Sequence, residues 1–178
     1  MLPLAAVPTV QQLLSDVVGQ TTGRSTVVVE RGPVTGFAAA VLDDDPAYRT
    51  PEAAAAAGLA DIPAPPTFPL VMETWGKFDD LQPADAPPAN APSANPLAKA
   101  LGPLFAGGGL ILHGEQEFAY HRPVVVGDVL DGVGTVVDAY QKESKGHTMT
   151  FVVTRTDWTD RHTGDPVVSS TLTVIHRA

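Results

Sequence analysis

From Gly109 onward the chain is written almost entirely in long runs of β-branched and aromatic residues broken by short turn signals. "GLILHGEQEFAYHRPV", "GDVLDGVGTVVDAYQKE", "HTMTFVVTRTDWTD" and "PVVSSTLTVIHRA" read as four strands. The breaks fall at Gly127-Asp128, Lys145-Gly146 and Thr163-Gly164-Asp165. Turns that short join antiparallel neighbours, because parallel strands need a long crossover between them. The spacing therefore predicts a four-strand antiparallel meander. A sheet that long has to bury one face, and what covers it must come from the residues upstream.

Upstream the pattern is mainly helical. "VQQLLSDVVG" has helical spacing and stops at Gly19, and "STVVVERG" is a β-branched run closed by glycine. "PVTGFAAAVLDDD" has Pro33 suited to a helix start, with Phe37, Val41 and Leu42 at helical intervals. "TPEAAAAAGL" offers Thr50 as N-cap, Pro51 at the first helical position and Gly58 as a stop. "APPTFPLVMETWG" reads as a turn into a buried helix ending near Gly76, with Pro69 confined to its first turn. This helix, containing Val71 and Trp75, is the most apolar candidate to cover the sheet. The layout is α+β, one domain over residues 1–178, with an antiparallel sheet wrapped around a central helix: the hot-dog arrangement. Residues 82–98, "QPADAPPANAPSANPLA", have no apolar face and are expected to form a long mobile surface loop. "PLAKALGPLF", a short helical piece, follows.

Composition narrows the function classes. At 178 residues the chain is long enough to bury a core without covalent staples, and it has no cysteine. A disulfide framework, a zinc–thiolate site and a cysteine nucleophile are thereby excluded. The net charge of −9, with no basic stripe, argues against nucleic acid or an anionic membrane as partner. The start "MLPLAAVPTVQQLLSD" lacks a basic region, and no apolar run reaches membrane-spanning length, so a cytoplasmic location is expected.

Three phrases taken together, "LDDDPAYRT", "IPAPPTFP" and "LHGEQEFAYHRPVVVGDVL", resemble the MaoC-like dehydratases, in particular their N-terminal-domain type. That type is akin to the dehydratase region of fungal fatty acid synthase and to the non-catalytic subunits of mycobacterial (3R)-hydroxyacyl-ACP dehydratases. The resemblance runs from about Val28 to the C-terminus, apart from the longer Pro-rich stretch at Gln82 to Leu101. It implies hydration of enoyl thioesters, or dehydration of (3R)-hydroxyacyl thioesters, without a cofactor. Active members carry Gly-Asp-x-Asn-Pro-x-His where this chain has "LDDDPAY". Asp43 falls on the catalytic Asp, Asp45 on the Asn, Pro46 is retained, and Tyr48 falls on the catalytic His. A His-Gly pair that opens the central helix in active members, and polarises the thioester carbonyl through a backbone N–H, is replaced here by Pro65-Pro66-Thr67.

The chemistry explains why those departures matter. Histidine, with a reference pKa of about 6.5, takes a proton from water at neutral pH; tyrosine, at about 10, donates a hydrogen bond but is a poor base. Asp43 is thus a weak catalytic candidate, while Asp43, Asp45, Tyr48, Thr67 and Phe68 form the expected acyl-binding set. Proline has no N–H to give, which leaves Thr67 or Phe68 as oxyanion donor. His113, Glu115, Glu117 and His121 fall on one face of a regular strand, a pattern compatible with a metal site. Alternate strand residues are too far apart to make one alone, so no metal is expected. By the resemblance His113 and Glu115 lie at a subunit junction. Asp128 reads as a turn residue, His147 and His162 sit at hairpin ends, and Ser169 and Ser170 are in no nucleophile elbow.

The leading expectation is the non-catalytic half of a hydro-lyase, pairing with a MaoC-like chain that carries the Asp/His dyad, and at least dimeric. A self-sufficient homodimeric hydratase using Asp43 and an acyl-CoA-binding protein without turnover are the alternatives. The carrier (CoA or acyl carrier protein) and the acyl group (linear, branched or steroidal) stay open.

Overall fold

The structure is a computed structural model that describes residues 9–84, 98, 102 and 106–178. The predicted Pro/Ala loop beyond Ala84 and most of the helical piece after it lie outside the described residues. The elements are α1 (Val10–Val17), β1 (Thr21–Val28), α2 (Arg31–Ala40), α3 (Pro51–Ala56), α4 (Pro69–Gly76), β2 (Leu110–Tyr120), β3 (Val129–Ser144), β4 (His147–Asp160) and β5 (Pro166–Arg177). One five-stranded antiparallel sheet holds all the strands, in the order β1-β3-β4-β5-β2.

The meander expectation holds for β3, β4 and β5 and fails for β2. Ser144 pairs with His147 across Lys145 and Gly146, whose φ values of 51° and 78° make the two-residue turn favoured in hairpins. β2, however, pairs with β5 and not with β3, while β3 pairs with β1. Residues 121–128 are therefore a crossover between the two flanks of the sheet. The Gly127-Asp128 turn is real: Gly127 has φ 92° and the Asp128 N–H donates to the Val125 carbonyl. It redirects the crossover into β3 and does not fold β2 back. Along the way Val124 O accepts from Ala64 N–H and the Val126 N–H donates to Ile62 O, so the crossover clamps the approach to α4.

The inner face of the sheet carries the core. Val27, Leu130, Trp158 and Val168, neighbours across four strands, pack against Phe68 and Met72 of the α4 segment. Burying the last two side chains stabilises by roughly 1.5–3 kcal/mol each. Pro69 takes the first helical position, as the sequence requires, and Phe68, Met72 and Gly76 recur every four residues on the buried side. Gly76 is there for close approach, since a Cβ would sit 2.5 Å from the Val28 carbonyl oxygen. Trp75 flanks this seam, 43% exposed, its ring against Phe37 and Phe68. At the other end of the same face, Leu14 and Val17 of α1 pack on Val136, Ala139 and Val152. A bulge between Val136 and Asp138 keeps Val136 and Ala139 on one side.

The two edges of the sheet differ. The β1 edge is closed: Val27 bridges Lys77, and the Gln82 side chain both accepts from Thr26 N–H (3.0 Å) and donates to Thr26 O (2.9 Å), as a strand would. The outer edge of β2 has no partner among the described residues.

Candidate functional site

The turn after α2 is built to present Tyr48. Leu42 sits at φ 60° just past the helix, its N–H donating to Ala39 O while the Asp43 N–H donates to Ala38 O; this is a Schellman cap with leucine where glycine is usual. Asp43 Oδ1 then accepts from Asp45 N–H (3.2 Å), and Asp45 Oδ1 accepts from Ala47 N–H (2.8 Å), capping a single 3₁₀ turn over Pro46–Tyr48. Arg49 pairs with Asp44 at 3.1 Å, and Arg31 donates to Arg49 O at 2.7 Å. The side chains of all three aspartates therefore hold the turn itself.

Tyr48 faces a cleft of about 510 Å³ whose walls are mostly apolar: Leu59, Pro63, Ala64, Pro66, Pro123 and Val124. Tyr120, the last residue of β2, stands in the same cleft, and its hydroxyl donates to Pro66 O at 2.8 Å. His121 and Arg122 complete the lining. Burial raises the Tyr48 phenol, and Asp43 and Asp45 add to the rise. Tyr120 keeps 40% of its surface open, yet the burial of the rest and the neighbouring Tyr48 push it to about 12. Both phenols are hydrogen-bond donors across the neutral range, not bases.

Of the oxyanion candidates, the Phe68 N–H donates to Pro65 O at 2.9 Å and its ring is buried, whereas the Thr67 N–H has no protein acceptor among the described residues and Thr67 is exposed. Sequence reasoning missed Tyr120 and His121 as cleft residues. Their one signal was position, directly before Arg122-Pro123 at the point where the strand gives way to the crossover.

The crossover itself is fixed by charge. Arg122 donates to both carboxylate oxygens of Asp128 (2.8 and 3.0 Å) and to Asp160 (2.9 Å), and Asp128 also accepts from Val125 N–H. Asp128 is thus a nearly buried acceptor as well as a turn residue. The Asp160 carboxyl is held below its ordinary range first by the N–H groups of His162 and Thr163, then by Arg122.

The one-face reading of His113, Glu115, Glu117 and His121 is overturned. The pairing with β5 slips at Gly114, so His113 opposes Val174 while Glu115 opposes Thr173. His113 turns to the inner face, Glu115 and Glu117 to the outer, and His121 lies beyond the strand. Among the described residues no group of three or more His, Asp or Glu side chains is placed to hold a metal ion. No helix there is long and apolar enough to cross a membrane.

A helix seated on the inner face of an antiparallel sheet in this strand order is a hot-dog domain. The chain belongs to the family of the FAS1-like, dehydratase domain region, whose model matches residues 16–170. It is 33% identical over 149 residues to a UPF0336 protein of Saccharopolyspora erythraea, covering 84% of this chain and 81% of that one. The ChsH1-ChsH2 complex of Mycobacterium tuberculosis has a similar fold, with TM-score 0.71 at 18% identity over 94% of this chain and 90% of that one. So has the C-terminally truncated HadBC (3R-hydroxyacyl-ACP dehydratase) complex of the same organism, with TM-score 0.64 at 24% identity over 91% and 98%.

Proposed function

We propose that this chain is the non-catalytic half of a cytoplasmic enoyl-thioester hydratase/(3R)-hydroxyacyl-thioester dehydratase. It pairs through β2, with His113 and Glu115 at the junction, to a MaoC-like chain bearing the Asp/His dyad. Its own cleft receives the acyl group of a CoA or carrier-protein thioester. The observation that carries this reading is the cleft itself: Tyr48 stands where the family pattern has histidine, and it is a protonated donor. Syn addition of water needs a base near neutral pKa and a donor for the developing enolate. Tyr48 and the Thr67 N–H serve the second need and not the first. Asp43 and Asp45 hold the turn, and Phe68 anchors the helix start in the core.

The test is to purify the chain from its native host with whatever accompanies it, then assay crotonyl-CoA and longer enoyl-CoAs. The chain alone is expected to hydrate these little or not at all, the pair to be active, and loss of the partner's dyad to abolish turnover. Binding of acyl-CoA without turnover in any pairing would leave a carrier role only.

One observation favours a second reading. His121 lines the cleft and is exposed, and Asp43, though not on the cleft wall, is close enough to Tyr48 to raise its phenol, so a self-sufficient homodimer would use His121 with Asp43 behind Tyr48. Turnover by the chain alone that is lost in His121→Ala would establish it.

A further inference from the structure

We propose that the cleft reads an alcohol hydroxyl on an otherwise apolar acyl chain, with Tyr48 donating to the hydroxyl oxygen and Tyr120 accepting its hydrogen. The inference rests on the reading above that the cleft receives the acyl group, and specifies which acyl groups it favours.

A phenol has one hydrogen to give and lone pairs that accept. Tyr120 has spent its hydrogen: the hydroxyl donates to Pro66 O at 2.8 Å, which leaves an acceptor only on the cleft wall. Tyr48 is the reverse case. It lines the same cleft, and its hydroxyl has no hydrogen-bond partner among the described residues, so its O–H is free to donate. Burial first, and then a charge on Tyr48, push Tyr120 up to about 12, so the two phenols are neighbours. Leu59, Pro63, Ala64, Pro123 and Val124 make an apolar setting for the pair.

One donor beside one acceptor in such a setting selects among ligand groups. A carbonyl accepts from Tyr48 but sets a second oxygen against that of Tyr120. A carboxylate or phosphate does the same, and brings its charge towards Asp43 and Asp45, which lie near enough to Tyr48 to raise it. Arg122, the cation of the cleft wall, gives no remedy, because it is spent on Asp128, Asp160 and Pro123 O. An ammonium group suits Tyr120 but turns a donor towards the Tyr48 O–H. A trans amide points its oxygen and its N–H to opposite sides, whereas an alcohol puts both functions on one atom, as neighbouring phenols require. A plain alkyl chain strips water from both phenols and replaces neither hydrogen bond, which is unfavourable.

The test is isothermal titration of the full chain with decanoyl-CoA, (3R)-hydroxydecanoyl-CoA, ω-hydroxydecanoyl-CoA and free CoA. At least one hydroxylated thioester is expected to bind roughly tenfold more tightly than decanoyl-CoA, given a few-fold per neutral hydrogen bond. Which one is preferred tells whether the hydroxyl that is read lies beside the thioester or at the far end of the chain. Tyr48→Phe removes no hydrogen bond within the described residues, so folding is not at stake. It is expected to cut the preference to about threefold while decanoyl-CoA binds as before or more tightly. Tyr120→Phe is expected to lower the same ratio. Equal affinity for all three thioesters, a preference unchanged in both variants, or free CoA binding as tightly as any thioester overturns the inference. If the preference is absent but a co-purified pair hydrates enoyl thioesters, only the hydroxyl reading falls. If the preference holds and no pair turns over a thioester, the hydro-lyase reading falls.

Discussion

Leu42 carries a left-handed backbone, φ 60°, that costs a non-glycine residue roughly 1–2 kcal/mol, and its side chain is 88% exposed. Glycine there relieves the strain but adds freedom to the unfolded chain. Leu42→Gly is expected to stabilise by about 0.5–1 kcal/mol, read as a higher urea midpoint at unchanged slope, whereas Leu42→Val lowers the midpoint. Tyr120 gives a pH-dependent counterpart. Its folded value of about 12 lies above the ordinary 10.0, so the folded state holds the proton more tightly. The stability linked to it is complete below pH ~10 and is lost as pH rises through ~12. Denaturant unfolding across that window should show the decline in the unaltered chain and a flatter one in Tyr120→Phe. An identical decline in both would remove Tyr120 as its source.

At the scale of elements, the crossover of residues 121–128 does what the sequence hid. Its charged anchor ties β2, β4 and the approach to α4 together. Arg122 is about one-third exposed and Asp128 nearly buried, so part of each charge is screened by water. Arg122→Met leaves Asp128 and Asp160 without their cation and is expected to cost about 2–3 kcal/mol, below the 3–5 of a fully buried pair. It should also weaken acyl-CoA binding, because Pro123 and Val124 line the cleft. A melting temperature unchanged by the substitution would deny the anchor its role. The elements themselves were legible: Thr50, Pro51, Pro69, Gly19 and Gly58 are local punctuation, and local chemistry decides where helices start and stop. Strand order was not, because a Gly-Asp turn looks alike whether it closes a hairpin or ends a crossover. The facing of His113 and Glu115 was hidden for a related reason: a one-residue bulge reverses every side chain beyond it, and Gly114 gives no other sign. In the cleft, Tyr48 was readable from the motif it interrupts, whereas Tyr120 reaches Pro66 across 54 residues of chain, a contact no local pattern announces.

On the function proposed above, the question at the scale of the whole molecule is which chain supplies the base. The resemblance sets Asp43 on the catalytic position of the family pattern, but its carboxylate oxygen accepts from the Asp45 N–H at 3.2 Å and shapes the turn behind Tyr48. Asparagine keeps that oxygen and the side-chain volume while discarding the charge. Asp43→Asn in the assembled pair is therefore expected to cost less than about tenfold in kcat/KM, with the turn and the cleft preserved. Removing a working general base costs about 10²–10⁴-fold, so the same substitution at the partner's dyad should fall in that range. The two ranges do not overlap, and one assay of enoyl-CoA hydration on the paired proteins separates them. A loss of a hundredfold or more from Asp43→Asn, together with turnover by this chain alone, would move the base into this cleft, with His121 on its wall as the group that completes it.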